Sequence, residues 1–387
     1  DNLSFTDDSS DTFTSLQRVR TYFTFAASEH VKAVWRLEVG DARFGQNVGG
    51  TAGNDWALGG DGVNIETKNA YLEYLCPFTG ATVKAGLQGV ALPSVVGNPI
   101  VDNDVAGVVV SYPVNDMASV LGGWLRSQDN SFFNPDDEQD VAFVAVPLAM
   151  DGISLVPYFA YSWVGSDISP NGYPAGVTGD DIDVWWAGVN LAVSMFDPIG
   201  IYADFIYGDA DTGDLDLDHD GFYLALAADM KMDMMTPMVW FTYATGADDD
   251  DYDYMPFFAG DWYPTSFGTD LSRLDNTGVS NAILTIQPQG LWTVGLQLGG
   301  ISFIEGLSHD FRIMYAEGTN EAGGLAPLDG AGLTDDDSLI EVNFDTTYMM
   351  YETLAAIVEL GYINPDIDAV SGEEDAWRLA VGLKYDF

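Results

Sequence analysis

Ala376-Trp377-Arg378-Leu379-Ala380-Val381-Gly382-Leu383-Lys384-Tyr385-Asp386-Phe387 closes the chain, and its residues alternate in character. Trp377, Leu379, Val381, Leu383, Tyr385 and Phe387 are apolar, while Arg378, Lys384 and Asp386 fall between them. Successive residues of a strand point to opposite faces, so this segment is a strand with one wholly apolar face and one polar face. An uninterrupted apolar face needs either a protein core or a lipid phase against it. The rest of the chain decides which.

Similar period-2 segments, bounded by turn residues, recur at 14–27, 30–40, 64–76, 81–89, 105–114, 117–127, 139–150, 152–164, 182–195, 199–209, 218–232, 235–246, 290–300, 307–317, 339–350, 354–363 and 376–387. None reads as an amphipathic helix, and no apolar run reaches the roughly eighteen residues of a membrane-spanning helix. The connectors alternate in size. Ser28-Glu29, Pro77 to Gly80, Asn115-Asp116, Asp151-Gly152, Phe196 to Pro198 and Asp233-Met234 are short. Those at 41–63, 90–104, 128–138, 165–181, 247–280, 319–338 and 364–375 are long. Sorted loops and strands of about ten residues describe an all-β transmembrane antiparallel barrel with short periplasmic turns and long outer loops.

Seventeen such segments would leave the first and last running the same way, whereas an antiparallel barrel closes with an even number. The expectation is therefore 16–18 strands, with one more strand upstream of Asp1 completing eighteen. Residues 1–387 read as a single barrel domain, integral to the bacterial outer membrane. The polar start at Asp1, with no signal peptide, reads as a processed or truncated form.

Sixty acidic residues against thirteen Lys and Arg give a formal net charge of −47. A phosphate-binding surface needs clustered bases in excess of acids, so nucleic acid is excluded as a partner. The acids gather in the long connectors, as in Asp248 to Asp251 and Asp335 to Asp337, making the outer rim negative. Cys76 stands alone, forms no internal disulfide, and is expected to pack as a small hydrophobe. Trp35, Tyr74, Trp124, Trp163, Trp185, Trp186, Trp262 and Tyr385 are expected to form interfacial girdles.

His30, His219 and His309 have no Ser or Cys nucleophile at a recognisable spacing, so no enzyme is expected. Asp216-Leu217-Asp218-His219-Asp220-Gly221 matches the first half of a calcium loop, but Ala227 stands where an EF-hand needs Glu. Asp216, Asp218 and Asp220 remain candidates for a divalent cation such as calcium; no other cofactor is required.

Face assignment places the basic residues. Val31, Ala33, Trp35, Leu37 and Val39 form an outward face, which turns Lys32 and Arg36 into the lumen. The same parity sends Arg18, Arg20, Lys84, Arg312, Arg378 and Lys384 inward. Eight of the thirteen bases thus line the lumen, concentrated on the first two strands, the fourth and the last.

The final strand with its terminal Phe387 resembles the last strand of bacterial outer-membrane barrels, which the barrel-assembly machinery reads. Lys84-Ala85-Gly86-Leu87-Gln88-Gly89, the segment 90–104 and Val105-Ala106-Gly107-Val108-Val109-Val110 together resemble a strand, inward-folded third loop and next strand of the trimeric general porins. Arg18-Val19-Arg20-Thr21-Tyr22-Phe23 and Ile65 to Glu73 look most like the homotrimeric porins of sulfate-reducing bacteria. The resemblance implies that 90–104 is a constriction loop whose Asp102 and Asp104 face a basic wall of Arg18, Arg20, Lys32, Arg36 and Lys84. It further implies a homotrimer in outer-membrane lipid and lipopolysaccharide, passing small hydrophilic solutes by diffusion. Small outer-face residues (Ala26, Ala33, Ala70, Ala85) would suit close packing of protomers. Two other functions stay open: an anion- or small-organic-acid-selective channel, and a structural scaffold bridged by divalent cations.

Overall fold

The computed structural model describes residues 5, 11–45, 65–130, 137–168, 182–213, 217–248, 252–269, 271–274, 288–323, 332–368 and 374–387. Its strands begin with β1 (Leu16–Ala26), β2 (Val31–Arg43), β3 (Ile65–Leu75), β4 (Thr82–Ala91) and the two-residue β5 (Gly97–Asn98). There follow β6 (Asp102–Asn115), β7 (Ala118–Asp129), β8 (Glu138–Ala145), β9 (Leu148–Met150) and β10 (Ile153–Val164). The next five are β11 (Ile182–Phe196), β12 (Ile199–Asp211), β13 (His219–Met230), β14 (Thr236–Ala244) and β15 (Asp261–Trp262). Last come β16 (Leu291–Ile304), β17 (Leu307–Gly318), β18 (Ser338–Tyr351), β19 (Leu354–Asp366) and β20 (Ala376–Tyr385).

Eighteen of these form one antiparallel sheet in which each strand pairs with the next across the wall; β5 and β15 form a separate pair. β8 and β9 are two halves of one span. Pro147 lies in the gap between them, as expected for a residue that has no N–H to give a ladder. Among the described residues seventeen spans therefore make up the wall, one for each period-2 segment of the sequence. Among the described residues, β1 is paired with β2 and β20 with β19, and no ladder joins β1 to β20.

The parity of the final strand holds in space. Val381 and Leu383 are 72% and 69% exposed on the outside, whereas Ala376 and Arg378 are 0% and 5% exposed on the inside. The same outward exposure of large apolar residues runs round the wall at Val110, Phe159, Phe205, Leu226, Val239, Val294 and Leu360. A continuous exposed apolar belt of this kind requires lipid against it. No helix among the described residues is long and apolar enough to cross a membrane, so the strands do the crossing.

Two tryptophans depart from the girdle expectation. Trp186, on the inward parity of β11, and Trp262, on β15, are buried inside. Adjacent Trp185 and Trp186 necessarily face opposite sides of one strand, so only one of them can reach lipid.

Candidate pore constriction

The ladder between β4 and β6 extends to Ala91 opposite Asp102, and the Leu92 N–H closes onto the Val101 carbonyl at 3.0 Å. The turned-in segment is therefore 92–101, shorter than the expected 90–104, and its ten residues include no charge. Asn98 holds its shape, its side-chain oxygen accepting from Ile100 N (2.8 Å) and Val101 N (3.1 Å). The loop meets the wall at β12, where Asp204 accepts from Val95 N at 2.5 Å.

A second inner segment, drawn from the connector between β14 and β16, lies against the first. β15 pairs with β5, Ala259 N donates to Ile100 O (2.8 Å), and Tyr263 N donates to Val96 O (3.0 Å). Gly97 makes this approach possible. Its φ of +97° and the Trp262 Cα, which would sit 2.7 Å from an added Cβ, both demand glycine. Burial between these loops, with Asp102 and Asp261 nearby, pushes the Tyr263 hydroxyl above its usual range.

This second segment spans the lumen. Its start is seated on β11 to β13, where Trp186 Nε1 donates to Pro256 O (2.7 Å) and Met255 lies over Gly208. Its far end is seated on β18 to β20. Glu341 accepts from Thr265 Oγ1 (3.0 Å), Phe267 N (3.3 Å) and Gly268 N (3.0 Å). Glu359 accepts from Ser272 Oγ (2.7 Å) and Arg273 N (2.6 Å), while the Arg273 guanidinium reaches Asp310 and Thr347. Glycines Gly361 and Gly382 leave room on the wall for Phe267 and Leu274. Behind the segment, Trp240, Thr242, Leu291, Thr293, Met314 and Leu339 pack with almost no exposure. That sector of the barrel is a packed core, unlike the sector walled by β1 to β4.

There the sequence-predicted bases line up. Arg18 and Arg20 contact Glu38 at 3.5 and 2.5 Å, and Lys32 contacts Glu73 at 2.9 Å. Arg36 stacks over Tyr22 at 4.7 Å, and Lys84 over Tyr71 at 5.5 Å. Glu66, opposite Glu38 in the ladder, shares its face. This wall thus presents five cations against three carboxylates.

The remaining site residues take other positions. Arg312 and Arg378 face inward but are buried under the second segment. Arg312 is bound to Asp345 (2.6 Å) and Gln297 (3.0 Å), and Arg378 to the Ser266 carbonyl and Glu359. Arg378 holds the loop directly through Ser266, while Arg312 is tied to wall residues of β16 and β18, so neither lines open water. Lys384 is exposed at the short-turn end of β20. Asp102 and Asp104 belong to β6, not to the loop. A bulge between β2 and β3 leaves Lys68 out of register, and it pairs with Asp104 at 3.4 Å while Asn69 donates to Asp104 at 2.7 Å. Asp104 is therefore held beside Lys68 and Asn69 on the same stretch of wall, not across the bore from it.

Asp216 lies outside the described residues. Asp218 is engaged by Thr212 (2.7 Å from N) and Asp220 by the Tyr207 hydroxyl (2.7 Å), and no cluster of three metal-ligating side chains occurs among the described residues. Arg273 and the acids Glu341 and Glu359 were not singled out from the sequence. Their partners across the lumen stand 37 to 87 residues away, beyond any local pattern.

No protein-family model matches the sequence, and no curated protein matches it. The fold has clear counterparts among solved structures. OprD of Pseudomonas aeruginosa aligns with a TM-score of 0.56 at 14% identity, covering 95% of this chain and 89% of that one. OccAB4 of Acinetobacter baumannii gives 0.56 at 12%, covering 98% and 93%. OpdQ of Pseudomonas aeruginosa gives 0.55 at 12%, covering 95% and 91%. The chain has the fold of these integral outer-membrane β-barrels.

Proposed function

We propose that the protein is a passive channel for small hydrophilic solutes across the outer membrane, with a preference for anions at its narrowest point. One observation carries the preference: the inner loop 92–101, seated on β12, carries no charge, while the wall of β1 to β4 holds five cations against three carboxylates. A positive wall in a narrow, low-dielectric passage concentrates counter-ions and orders polar solutes. The acidic rim lies further out, and screening over roughly 8–10 Å in physiological salt leaves the constriction in control. The test is the reversal potential of purified protein in a planar bilayer under a salt gradient; cation selectivity would sink the anion reading. Saturable block by a small organic acid would mark a substrate-selective channel rather than a diffusion pore.

The homotrimer is proposed from resemblance, with support from a depression of about 270 Å³ on the outer face lined by Ala33, Ala70, Leu72 and Ala85. Its test is the mass of the detergent-solubilised particle and conductance in multiples of three. An eighteenth strand between β1 and β20 is proposed from the open ladder. Phe387, exposed and stacked on Tyr385 at 5.9 Å, is proposed as the handle for the barrel-assembly machinery, and the outer rim as the contact for lipopolysaccharide. Calcium at Asp216, Asp218 and Asp220 has the least support, because it would have to displace the hydrogen bonds already made by Asp218 and Asp220.

A further inference from the structure

The turn joining β13 to β14 reads Met230-Lys231-Met232-Asp233-Met234-Met235, four methionines in six residues. The hairpin keeps one register into its tip. Asp229 pairs with Met238, and the Met232 N–H donates to the Met235 carbonyl at 3.1 Å, which continues the same ladder. Met232 and Met235 are therefore cross-strand neighbours, with Cβ atoms about 4.5–5.5 Å apart. Met230, two residues before Met232, shares their face. Met230, Met232 and Met234 are 38%, 46% and 46% exposed.

The backbone that carries them is pinned on both sides. Lys231 N donates to Pro198 O (2.9 Å) and Ser302 N to Met234 O (3.0 Å). The thioethers, each on a flexible unbranched stem, are thus presented from a fixed frame and are free to converge. Lys231 falls on the opposite face of the hairpin, and Asp233 at the tip adds a negative charge. Three other hairpin ends at this rim carry rings, at Phe78, Phe303 and Tyr351, whereas those at Met117 and Met150 carry a single exposed methionine each. This one carries no ring and four methionines.

We propose that Met230, Met232 and Met235 form a thioether site for a soft monovalent cation, Cu(I) or Ag(I), at the short-turn end of the barrel. Thioether sulfur selects soft cations and has little affinity for the hard divalent ions that carboxylates hold. The site lies outside the constriction and does not depend on how the pore selects solutes.

The experiment is a titration of the purified full-length chain with Ag(I), and with Cu(I) against a chromophoric chelator. A Cys76→Ser background removes the one competing thiol. One ion bound per chain is expected, with loss of binding in the Met232→Leu/Met235→Leu variant and unchanged conductance. Leucine preserves the apolar bulk, so a merely membrane-anchoring role would survive the change and binding would not. No binding by the parent, or equal binding by the leucine variant, overturns the proposal. Equal loss in a Met117→Leu/Met150→Leu control, at exposed methionines of other hairpins, would also overturn it by showing scattered thioether binding.

Discussion

The Glu341 carboxylate on β18 accepts the Gly268 N–H at 3.0 Å across 73 residues of chain, and this contact seats the inner segment on the far wall. Together with Thr265 and Phe267 it makes the carboxylate a receptor for a whole turn of loop backbone, in a place with no exposure to solvent. Hydrogen bonds to a charged group contribute about 1.5–3 kcal/mol each, so Glu341→Leu should cost the docked loop roughly 3 kcal/mol or more. The wall should survive, because its ladders do not involve this side chain. We expect Glu341→Leu to give larger and noisier single-channel currents, and Glu341→Gln, which keeps one acceptor, to fall between. Wild-type currents from Glu341→Leu would show that the loop is held elsewhere.

The wall glycines make a steric counterpart to that prediction. A Cβ at Gly382 would stand 2.5 Å from Leu274 Cδ2, and one at Gly361 would collide with Phe267. Gly361→Val should unseat the loop and expose 252–274 to protease added from the outer side, with the barrel itself uncut. Gly382→Val should act more mildly, since a leucine tip yields more readily than the stem of a ring. Protease resistance equal to that of the parent in both variants would refute the seating.

Selectivity should follow the charge balance of β1 to β4. Replacing Arg18 and Arg20 with Ala leaves three cations against three carboxylates, and the reversal potential should collapse toward zero. Glu38→Gln shifts the balance the other way and should sharpen anion preference. Both effects should fade as salt rises and the screening length drops toward about 3 Å at 1 M. An unchanged reversal potential in the double arginine variant would remove this wall from the permeation path.

Cys76 offers a prediction about pH. The Thr79 hydroxyl donates to its sulfur, helped by the backbone N–H groups of Phe78 and Thr79, and these hold the thiol down at about 7. The shift is downward, so thiolate is present at neutral pH and reactivity rises through that value instead of near 9. Maleimide or iodoacetamide labelling should reach half its maximal rate close to pH 7, and Thr79→Val should move the midpoint upward. A midpoint near 9 in the parent would show that these hydrogen bonds are absent in solution.

The wall was legible in the sequence because a two-residue period writes itself into every span. All seventeen segments reappear, and even the inward turn of Arg18, Arg20, Lys32, Arg36 and Lys84 follows from parity alone. The interior was not legible. β5 and β15 are two residues long and pair across 163 positions, so no local pattern announces them. Parity also cannot tell an inward arginine that meets water from one that meets a loop, which is why Arg312 and Arg378 looked like pore residues. Asp104 was misplaced for a related reason: the ladder ran further toward the loop than the turn residues suggested, and a bulge delivered Lys68 to it.

The division of labour between Glu341, Glu359, Gly361 and Gly382 on one side and Thr265 to Leu274 on the other has an evolutionary reading. The fastening is written into the scaffold, in four positions of three neighbouring strands, while the inserted stretch supplies mostly backbone donors. Any segment able to offer a small turn with free N–H groups at that socket can be held across the bore. What fills the bore can then change in sequence away from the socket without rebuilding the cylinder that carries it.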